Sequence, residues 1–297
     1  MRERILPLMA AGLLLVACGS GQQEQQSSES SAAAAADETS EAAPDKGKND
    51  APEQAPEDPA PGGGSMIATY QDATSPEALR GKEILEGDHA LEDMAADINE
   101  TLNLPYDIPL LGAQCDQPNA FWSPSEKTIT ICYEDTSNSE RIFTELKEPD
   151  PVASAINAEW ATFYHEVGHM TVTIYNLPIT GREEDVADQL AAYVLLQPGD
   201  DGAPDMESVQ AVKDFAKVFD ISGEEDGPLG DSDFADEHTL NEARNYNLLC
   251  WIYGSNPDAN ADIVTGGELP ESRADGCQAE WQQLDNAWAT LLDPYFK

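Results

Sequence analysis

The chain has 297 residues, and 57 acidic side chains against 15 basic ones give it a formal net charge of −42 at pH 7. A surface of that sign repels nucleic acid and anionic lipid headgroups, which excludes proteins that bind either through a basic face. Residues 1–17 contribute +1 and residues 18–66 contribute −8, so residues 67–297 carry −35. The simplest interpretation is a solvated acidic surface that maintains solubility; affinity for cationic substrates or calcium and function in salty surroundings are the alternatives.

Residues 1–17 have the features of a signal peptide. Two arginines precede an apolar run over residues 5–17, which is too short for a stable transmembrane helix. The run ends in Leu15-Val16-Ala17-Cys18, which resembles the bacterial lipobox, where the cysteine is acylated and becomes the first mature residue. The resemblance implies that Cys18 anchors the protein to a membrane of the cell envelope, facing the periplasm or exterior. Gly19 implies the outer membrane in a two-membrane bacterium.

Residues 18–66 are rich in Gln, Ser, Ala, Glu, Asp, Pro and Gly and contain no aromatic residue. Such a segment has too little apolar surface to offset its chain entropy. It predicts a disordered acidic tether of roughly 40 Å root-mean-square length. Residues 67–297 are then predicted to form one domain.

Four cysteines remain in that domain: Cys115, Cys132, Cys250 and Cys277. An even number in an exported protein predicts two disulfides, for which three pairings are possible. We favour Cys115 with Cys132 and Cys250 with Cys277, because each closes a short local loop.

The first predicted elements are helical and then β. Ser75-Pro76-Glu77 begins a helical segment that extends to about Leu104, as one helix or as two helices broken near Gly87. Next, Asn119-Ala120-Phe121-Trp122, a Ser-Pro-Ser turn and the alternating run at 128–133 predict a β-hairpin.

The clearest element is a long central helix that begins at Asp150-Pro151. Apolar residues recur every three or four positions, which predicts that one side of the helix faces a core. These residues are Ile156, Trp160, Phe163, Val167, Met170 and Ile174. Further helices are predicted at about 182–196, 206–219, 240–253 and 280–292, so the predicted fold class is α+β.

The central helix carries His165-Glu166-Val167-Gly168-His169, an H-E-x-x-H pattern. Histidines four residues apart on a helix point the same way, so both imidazoles can reach one Zn²⁺ at about 2 Å. Glu166 lies one residue round the helix, where it can deprotonate a water whose pKa zinc lowers toward about 7. The pattern predicts a Zn²⁺ cofactor, ligands at His165 and His169, and a general base at Glu166.

The third ligand is indicated by spacing. The metzincin pattern fails, because it requires Gly and His where this chain has Val172 and Tyr175. Downstream, the segment from Glu184 to Asp188 is similar to the E-x-x-x-D motif of the gluzincins. That resemblance implies that Glu184 binds zinc and that Asp188 supports the first histidine.

Helix geometry agrees with this choice. Glu184 and Asp188 are about 40° apart around a helix, whereas Glu183 is about 140° from Asp188 and is predicted to point elsewhere. Ala187 and Ala191 share the face of Glu184, and small side chains there would let this helix approach the histidine helix closely.

Upstream, Asn119-Ala120-Phe121-Trp122 looks like the edge-strand signature of the thermolysin family, in which a peptide substrate adds as an antiparallel strand. The resemblance implies that the Asn119 side chain grips the substrate main chain, while Ala120 offers its carbonyl and amide. An ordinary edge strand with core aromatics is the alternative.

His238 follows Glu184 by some fifty residues, and thermolysin-like enzymes place a transition-state-stabilising histidine similarly. The resemblance implies that His238 polarises the oxyanion. A helix-cap histidine is the structural alternative, and Arg244 and Tyr246 are rival donors.

As a whole, residues 105–297 resemble a bacterial family of metallopeptidases that share the edge strand, the H-E-x-x-H helix and a cysteine-bearing helical end. Gly181 to Asp188 and Asn245 to Cys250 match that family well. The resemblance implies a zincin-like fold and zinc-dependent hydrolysis of a peptide or protein substrate in the envelope. Thermolysin itself is longer and has a calcium framework that this chain lacks.

Two other functions remain open from the residues. One is a lipoprotein that binds zinc or peptide without turnover, against which the intact Glu166 counts. The other is a structural zinc site, which would need a fourth protein ligand.

Overall fold

In a computed structural model, the described residues are 63–199, 202–225 and 229–297. The predicted signal peptide, the lipidation site at Cys18 and nearly all of the predicted tether lie outside them. Residues before the predicted boundary at 67 already contact the domain. Met66 is buried in the first strand, and the Gly64 amide donates to the Leu104 carbonyl.

The sheet has four strands, β1 (Met66–Tyr70), β2 (Ile108–Ala113), β3 (Ala120–Ser123) and β4 (Thr128–Cys132), in the order β1-β2-β4-β3. β1, β2 and β4 are parallel, and β3 runs antiparallel to β4. The predicted hairpin is therefore the β3–β4 pair. β3 pairs only with β4 within the described residues and forms one edge of the sheet.

Most of the described chain is helical, and the predicted α+β class is confirmed. The helices are α1 (Pro76–Asp88), α2 (Ala90–Thr101), α3 (Tyr133–Glu145), α4 (Pro151–Ile174), α5 (Glu183–Leu195), α6 (Met206–Glu225), α7 (Asp231–Ala235), α8 (Asn241–Ser255), α9 (Ala261–Thr265), α10 (Glu271–Ala274) and α11 (Cys277–Leu292). None of the described helices is long and apolar enough to cross a membrane.

The first helical segment is two helices, as one of the two alternatives predicts, and the break near Gly87 is at His89, which has a left-handed φ of 56°. One strand boundary needs correction. The residues after β4 do not extend the strand, because Tyr133 begins α3. Its first turn is acidic, which suits the positive end of a helix.

α4 is the central element. Asp150 caps it by accepting from the Ala153 amide, and Pro151 occupies the first turn. Most of the predicted apolar stripe is buried, but the helix is covered on more than one side, because α3, α5, α6 and β3 all pack on it. Polar groups placed on α4 are therefore enclosed by protein.

Both favoured disulfides are present. Cys115–Cys132 ties the segment before β3 to the end of β4, and Cys250–Cys277 joins α8 to α11. Each closes a short loop and contributes about 3 kcal/mol by loop-closure entropy.

Candidate metal centre

α4 and α5 cross at very close range where two small residues meet. A Cβ built on Gly168 would lie 2.7 Å from the Ala187 Cα, so only glycine permits this approach. Ala191, one turn further on the same face of α5, is buried as well. The short distance between the two backbones lets a carboxylate on α5 reach the imidazoles of α4.

The groups brought together are His165, His169 and Glu184. The two Nε2 atoms are 3.2 Å apart, Glu184 Oε2 is 3.2 Å from His165 Nε2, and Glu184 Oε1 is 3.4 Å from His169 Nε2. Ligands at about 2.0–2.1 Å from a tetrahedral metal ion are about 3.3–3.4 Å apart. The three groups therefore have the spacing of ligands around one small divalent cation.

The charge balance of this cluster also suits a cation. Glu184 Oε2 is buried without a hydrogen-bond partner among the described residues, although two imidazole nitrogens lie within 3.3 Å of it. Burial opposes ionisation of Glu184, but the neighbouring histidines outweigh it and lower its pKa. Burial likewise opposes charge on His165, but the adjacent carboxylates of Asp188 and Glu184 outweigh it and raise the pKa of His165 to about 9. The site favours positive charge at this position, and a metal ion would supply it.

A series of buried contacts orients the His165 ring through Nδ1, the nitrogen on the side away from the cluster. Its Nδ1 lies 2.8 Å from Asp188 Oδ1, and Arg244 on α8 donates to both oxygens of Asp188, at 2.7 and 2.6 Å. The guanidinium also lies 3.8 Å from the Phe219 ring centroid. Burial raises the pKa of Asp188, but Arg244 and His165 outweigh it and hold it at about 2. Asp188 is thus an ionised acceptor that orients the His165 ring.

Glu183 corrects a sequence-based expectation, because it does not point away from the site. Its Oε1 lies 2.9 Å from His169 Nδ1, so it supports the second histidine as Asp188 supports the first. Glu183 is the first residue of α5, and side chains on a helix lean toward its N-terminus. At the first residue of the helix, a side chain that leans this way places its carboxylate beyond the helix end. Its contacts then no longer follow from the residue's angle around the helix axis.

Glu166 lies beside the three metal-binding groups and is only 5% exposed. Burial raises the pKa of its carboxyl, while His165, His169 and the hydrogen-bonding backbone amide of Trp122 act to lower it. Asp135 on α3 is close enough to be affected by Glu166, and burial followed by this like charge raises the pKa of Asp135 to about 6. Glu166 is therefore enclosed between the edge strand and a second carboxyl group.

His238 faces the cluster from the segment before α8. Its Nε2 is 3.3 Å from Glu184 Oε2, and its Nδ1 is 2.8 Å from Asp236 Oδ1. Arg182 Nη1 donates to the carbonyls of Asp236 and His238, and the Thr239 hydroxyl donates to Asp185. The first turn of α5 therefore positions both Glu184 and His238.

Along β3, the backbone groups of alternate residues face the free edge of the sheet. The Asn119 and Ser123 carbonyls accept from Cys132 and Lys127, so the backbone groups of those residues face β4 and its turn. Hydrogen-bonding directions alternate along an antiparallel strand, so the backbone groups of Ala120 and Trp122 face the free edge. The Asn119 side chain is exposed.

Three participants were not found from the sequence in these roles. The sequence indicates Arg244 only as a rival oxyanion donor, and its patterns indicate no role for Asp236 or Asp135. An Asp two residues before His238 is a local signal that could have been used. Nothing in the sequence alone places Asp135 near Glu166, because that contact depends on how α3 packs on α4.

Comparison with known families agrees with this geometry. Residues 70–292, about three quarters of the chain, match a family model described as “Putative metallopeptidase”. A search of curated proteins and a search of solved structures each found no match.

Proposed function

Because the chain belongs to this metallopeptidase family, we propose that it is a zinc-dependent peptidase with a gluzincin-type site in a zincin-like fold. The observation that carries the proposal is the tetrahedral spacing of His165, His169 and Glu184, with buried Glu166 beside them. Family membership supports peptide hydrolysis, and the donor set supports zinc as the metal.

His165 Nε2, His169 Nε2 and the Glu184 carboxylate are the groups that would hold the ion, which leaves one tetrahedral position for water or substrate. When bound, zinc would act as a Lewis acid and lower the pKa of water. Asp188 and Glu183 hold the outer ring nitrogens of the two histidines, so that Nε2 of each is directed to the ion.

Glu166 is the proposed general base. It takes a proton from the attacking water and returns it to the leaving nitrogen. Its partial desolvation raises its pKa, which makes the carboxylate a stronger base than an exposed glutamate.

The substrate main chain is proposed to pair with β3. Ala120 has its backbone groups at the free edge, and the Trp122 amide donates to Glu166, so a peptide that pairs with Ala120 would pass the base. Asn119, exposed at the start of the strand, is proposed to bind the peptide backbone through its amide.

His238 is the proposed donor to the oxyanion. Asp236 Oδ1 holds Nδ1, and Nε2 faces the cluster 3.3 Å from Glu184 Oε2, from where it would donate to the oxyanion. Of the rival donors, Arg244 is committed to Asp188 by two hydrogen bonds. Tyr246 is about 200° from Arg244 around α8, so it projects from the opposite side of that helix.

We further propose that the protein acts at the cell envelope, anchored by acylated Cys18 through the acidic tether of residues 18–66. Support comes from the sequence Leu15-Val16-Ala17-Cys18 and from the composition of the tether. Replacement Cys18→Ser should abolish lipid labelling and detergent partitioning; unchanged partitioning would contradict the anchor.

The test of the reaction is the replacement Glu166→Gln. Zinc content should stay at about one ion per chain, because Glu166 is not a ligand, while peptide turnover should fall by about 10²–10⁴-fold, the contribution of a general base. Zinc is measured by atomic absorption and turnover by cleavage-site mapping. Wild-type protein that binds zinc but cleaves no peptide would indicate a binding lipoprotein, and retained turnover would remove Glu166 from the chemistry.

A further inference from the structure

A cavity of about 410 Å³ lies beside the metal centre, bounded by the segment between Leu229 and Leu240 and by the start of α8. His238 and Arg244 form part of its wall, and the same two side chains contact Glu184 and Asp188. The cavity therefore adjoins the proposed reaction centre. Its volume is within the range of pockets that enclose small ligands or side chains.

Carboxylates dominate the charge of this cavity. Asp233, Asp236 and Glu242 line it, and all three are exposed to solvent. The pKa of Asp236 is lowered by hydrogen bonds from the backbone and the ring of His238, so its charge is retained.

Cations near the cavity do not cancel these carboxylates. Arg244 is the one Lys or Arg among the described lining residues, and its hydrogen bonds are made to Asp188. Arg182 lies behind the segment, where its Nη1 is taken up by the carbonyls of Asp236 and His238. The potential inside the cavity is therefore negative.

The remaining lining suits the stem of a long basic side chain. Leu229 and Leu240 contribute apolar surface beside the carboxylates. Lysine and arginine have an aliphatic stem that packs on such surface and a charged end that pairs with carboxylates. An acidic side chain would be repelled, and a short neutral one would leave the cavity to water.

We propose that this acidic pocket, defined by Asp233, Asp236, Leu240 and Glu242, binds a lysine or arginine side chain adjacent to the scissile bond, so that the substrates are basic peptides. The inference rests on the proposed peptidase function for the position of the scissile bond. The net charge of −35 on residues 67–297 attracts any cationic peptide to the protein. The acidic pocket adds a preference at one position of the peptide.

Cleavage of a matched peptide series tests this preference on the full-length, zinc-loaded protein. The peptides differ only by Lys, Gln or Glu at each position flanking the scissile bond. At one of the two positions, kcat/KM should fall in the order Lys, Gln, Glu, mainly through KM. The double variant Asp233→Asn with Glu242→Gln should lose roughly 10-fold of the preference for Lys over Gln, as expected for removal of two partly exposed charge pairs.

Two control variants separate the pocket from general attraction. Glu100→Gln removes one exposed charge from α2 and should leave the order unchanged. Glu242→Lys should shift the order toward the Glu peptide. An equal loss of preference in Glu100→Gln and in the double variant would overturn the pocket.

Peptide binding to the Glu166→Gln variant tests the acidic pocket without requiring any cleavage. Labelled hexapeptides with one Lys, Gln or Glu in an alanine background are titrated against the zinc-loaded variant and followed by fluorescence anisotropy. The Lys peptide should bind most tightly, and this preference should be lost in the triple variant that adds Asp233→Asn and Glu242→Gln. That result supports the pocket even if the wild type cleaves no peptide. In that case only the proposed hydrolysis fails. Cleavage without a basic preference, or binding insensitive to Glu242, contradicts the pocket while the peptidase stands.

Discussion

The two sides of the metal centre are held in place by different kinds of contact. On one side, His165, Asp188 and Arg244 form a continuous buried chain across three helices, and each is 7% exposed or less. On the other side, His238 has 48% of its side chain exposed, and its segment is held by Arg182 and Asp185 at the surface. Loss of a buried contact should therefore destabilise the fold, whereas loss of an exposed one should mainly change the reaction.

The largest effect is expected from Arg244→Met. This change leaves the Asp188 carboxylate buried without its guanidinium partner, which costs about 3–5 kcal/mol of unfolding free energy. Urea denaturation measures it. Arg273→Met, at a salt bridge whose side chains are 32% and 40% exposed, is the matched control and should cost no more than about 1 kcal/mol. Equal losses of unfolding free energy in the two variants would contradict the proposed difference between buried and exposed contacts.

A double variant sharpens the same comparison. Adding Asp188→Asn to Arg244→Met removes the unpaired charge and should restore part of the lost stability. Strict additivity of the two single changes would show that the pair is not coupled.

On the exposed side, His238→Gln should lower kcat by about 10²–10³-fold, the usual loss when one oxyanion donor is removed. Stability and zinc content should stay at the wild-type level, because the ring is half exposed and is not one of the three clustered groups. Steady-state kinetics, denaturation and metal analysis are measured together. Loss of zinc would instead make His238 a ligand.

Zinc affinity measures how much each carboxylate behind a histidine contributes, Asp188 behind His165 and Glu183 behind His169. Asp188→Asn should weaken zinc binding by about 10–100-fold, as losses behind a ligand do. Glu183→Gln should have a smaller effect, roughly 10-fold at most, because that carboxylate is 46% exposed and water can replace it. Chelator competition gives the order, with Glu184→Gln as the expected extreme and Asp185→Asn as the control in the same turn. A larger effect at Glu183 than at Asp188 would reverse the proposed importance of burial.

What the sequence predicts well is local to one helix. The spacing of His165 and His169 places them on one face regardless of the rest of the fold, and the small residues on α5 predict its close approach to Gly168. The direction predicted for the Glu183 side chain from its angle around the helix is wrong. Glu183 is the first residue of α5, and its side chain extends past the helix end. One residue later the same angles place Glu184 correctly beside His165 and His169, so the error is confined to the first helical residue.

What the sequence misses depends on packing between distant segments. β2 includes Pro109 and the adjacent pair Leu110 and Leu111, so it lacks the apolar–polar alternation that indicates a strand. The pairing of β1 with β2 is parallel, across the whole of α1 and α2, and no local turn signals it. For the same reason Asp135 could not be placed beside Glu166: its position follows from the contact of α3 with α4.

The smallest effect is expected from Thr239→Val, which tests whether surface contacts alone position His238. The Thr239 hydroxyl donates to Asp185 Oδ1 at 2.6 Å, and valine keeps its shape while removing that bond. A single exposed hydrogen bond contributes about 0.5–1.5 kcal/mol, so unfolding free energy should change by about 1 kcal/mol or less. The segment would still be held by Arg182, but His238 would sample more positions relative to Glu184, and kcat should fall several-fold with zinc affinity unchanged. Thr265→Val, at the end of α9 and away from the described site, is the control. If Thr239→Val lowers zinc affinity or stability as much as Arg244→Met does, the His238 segment is part of the same buried framework as His165, and the division between the two sides of the metal centre is wrong.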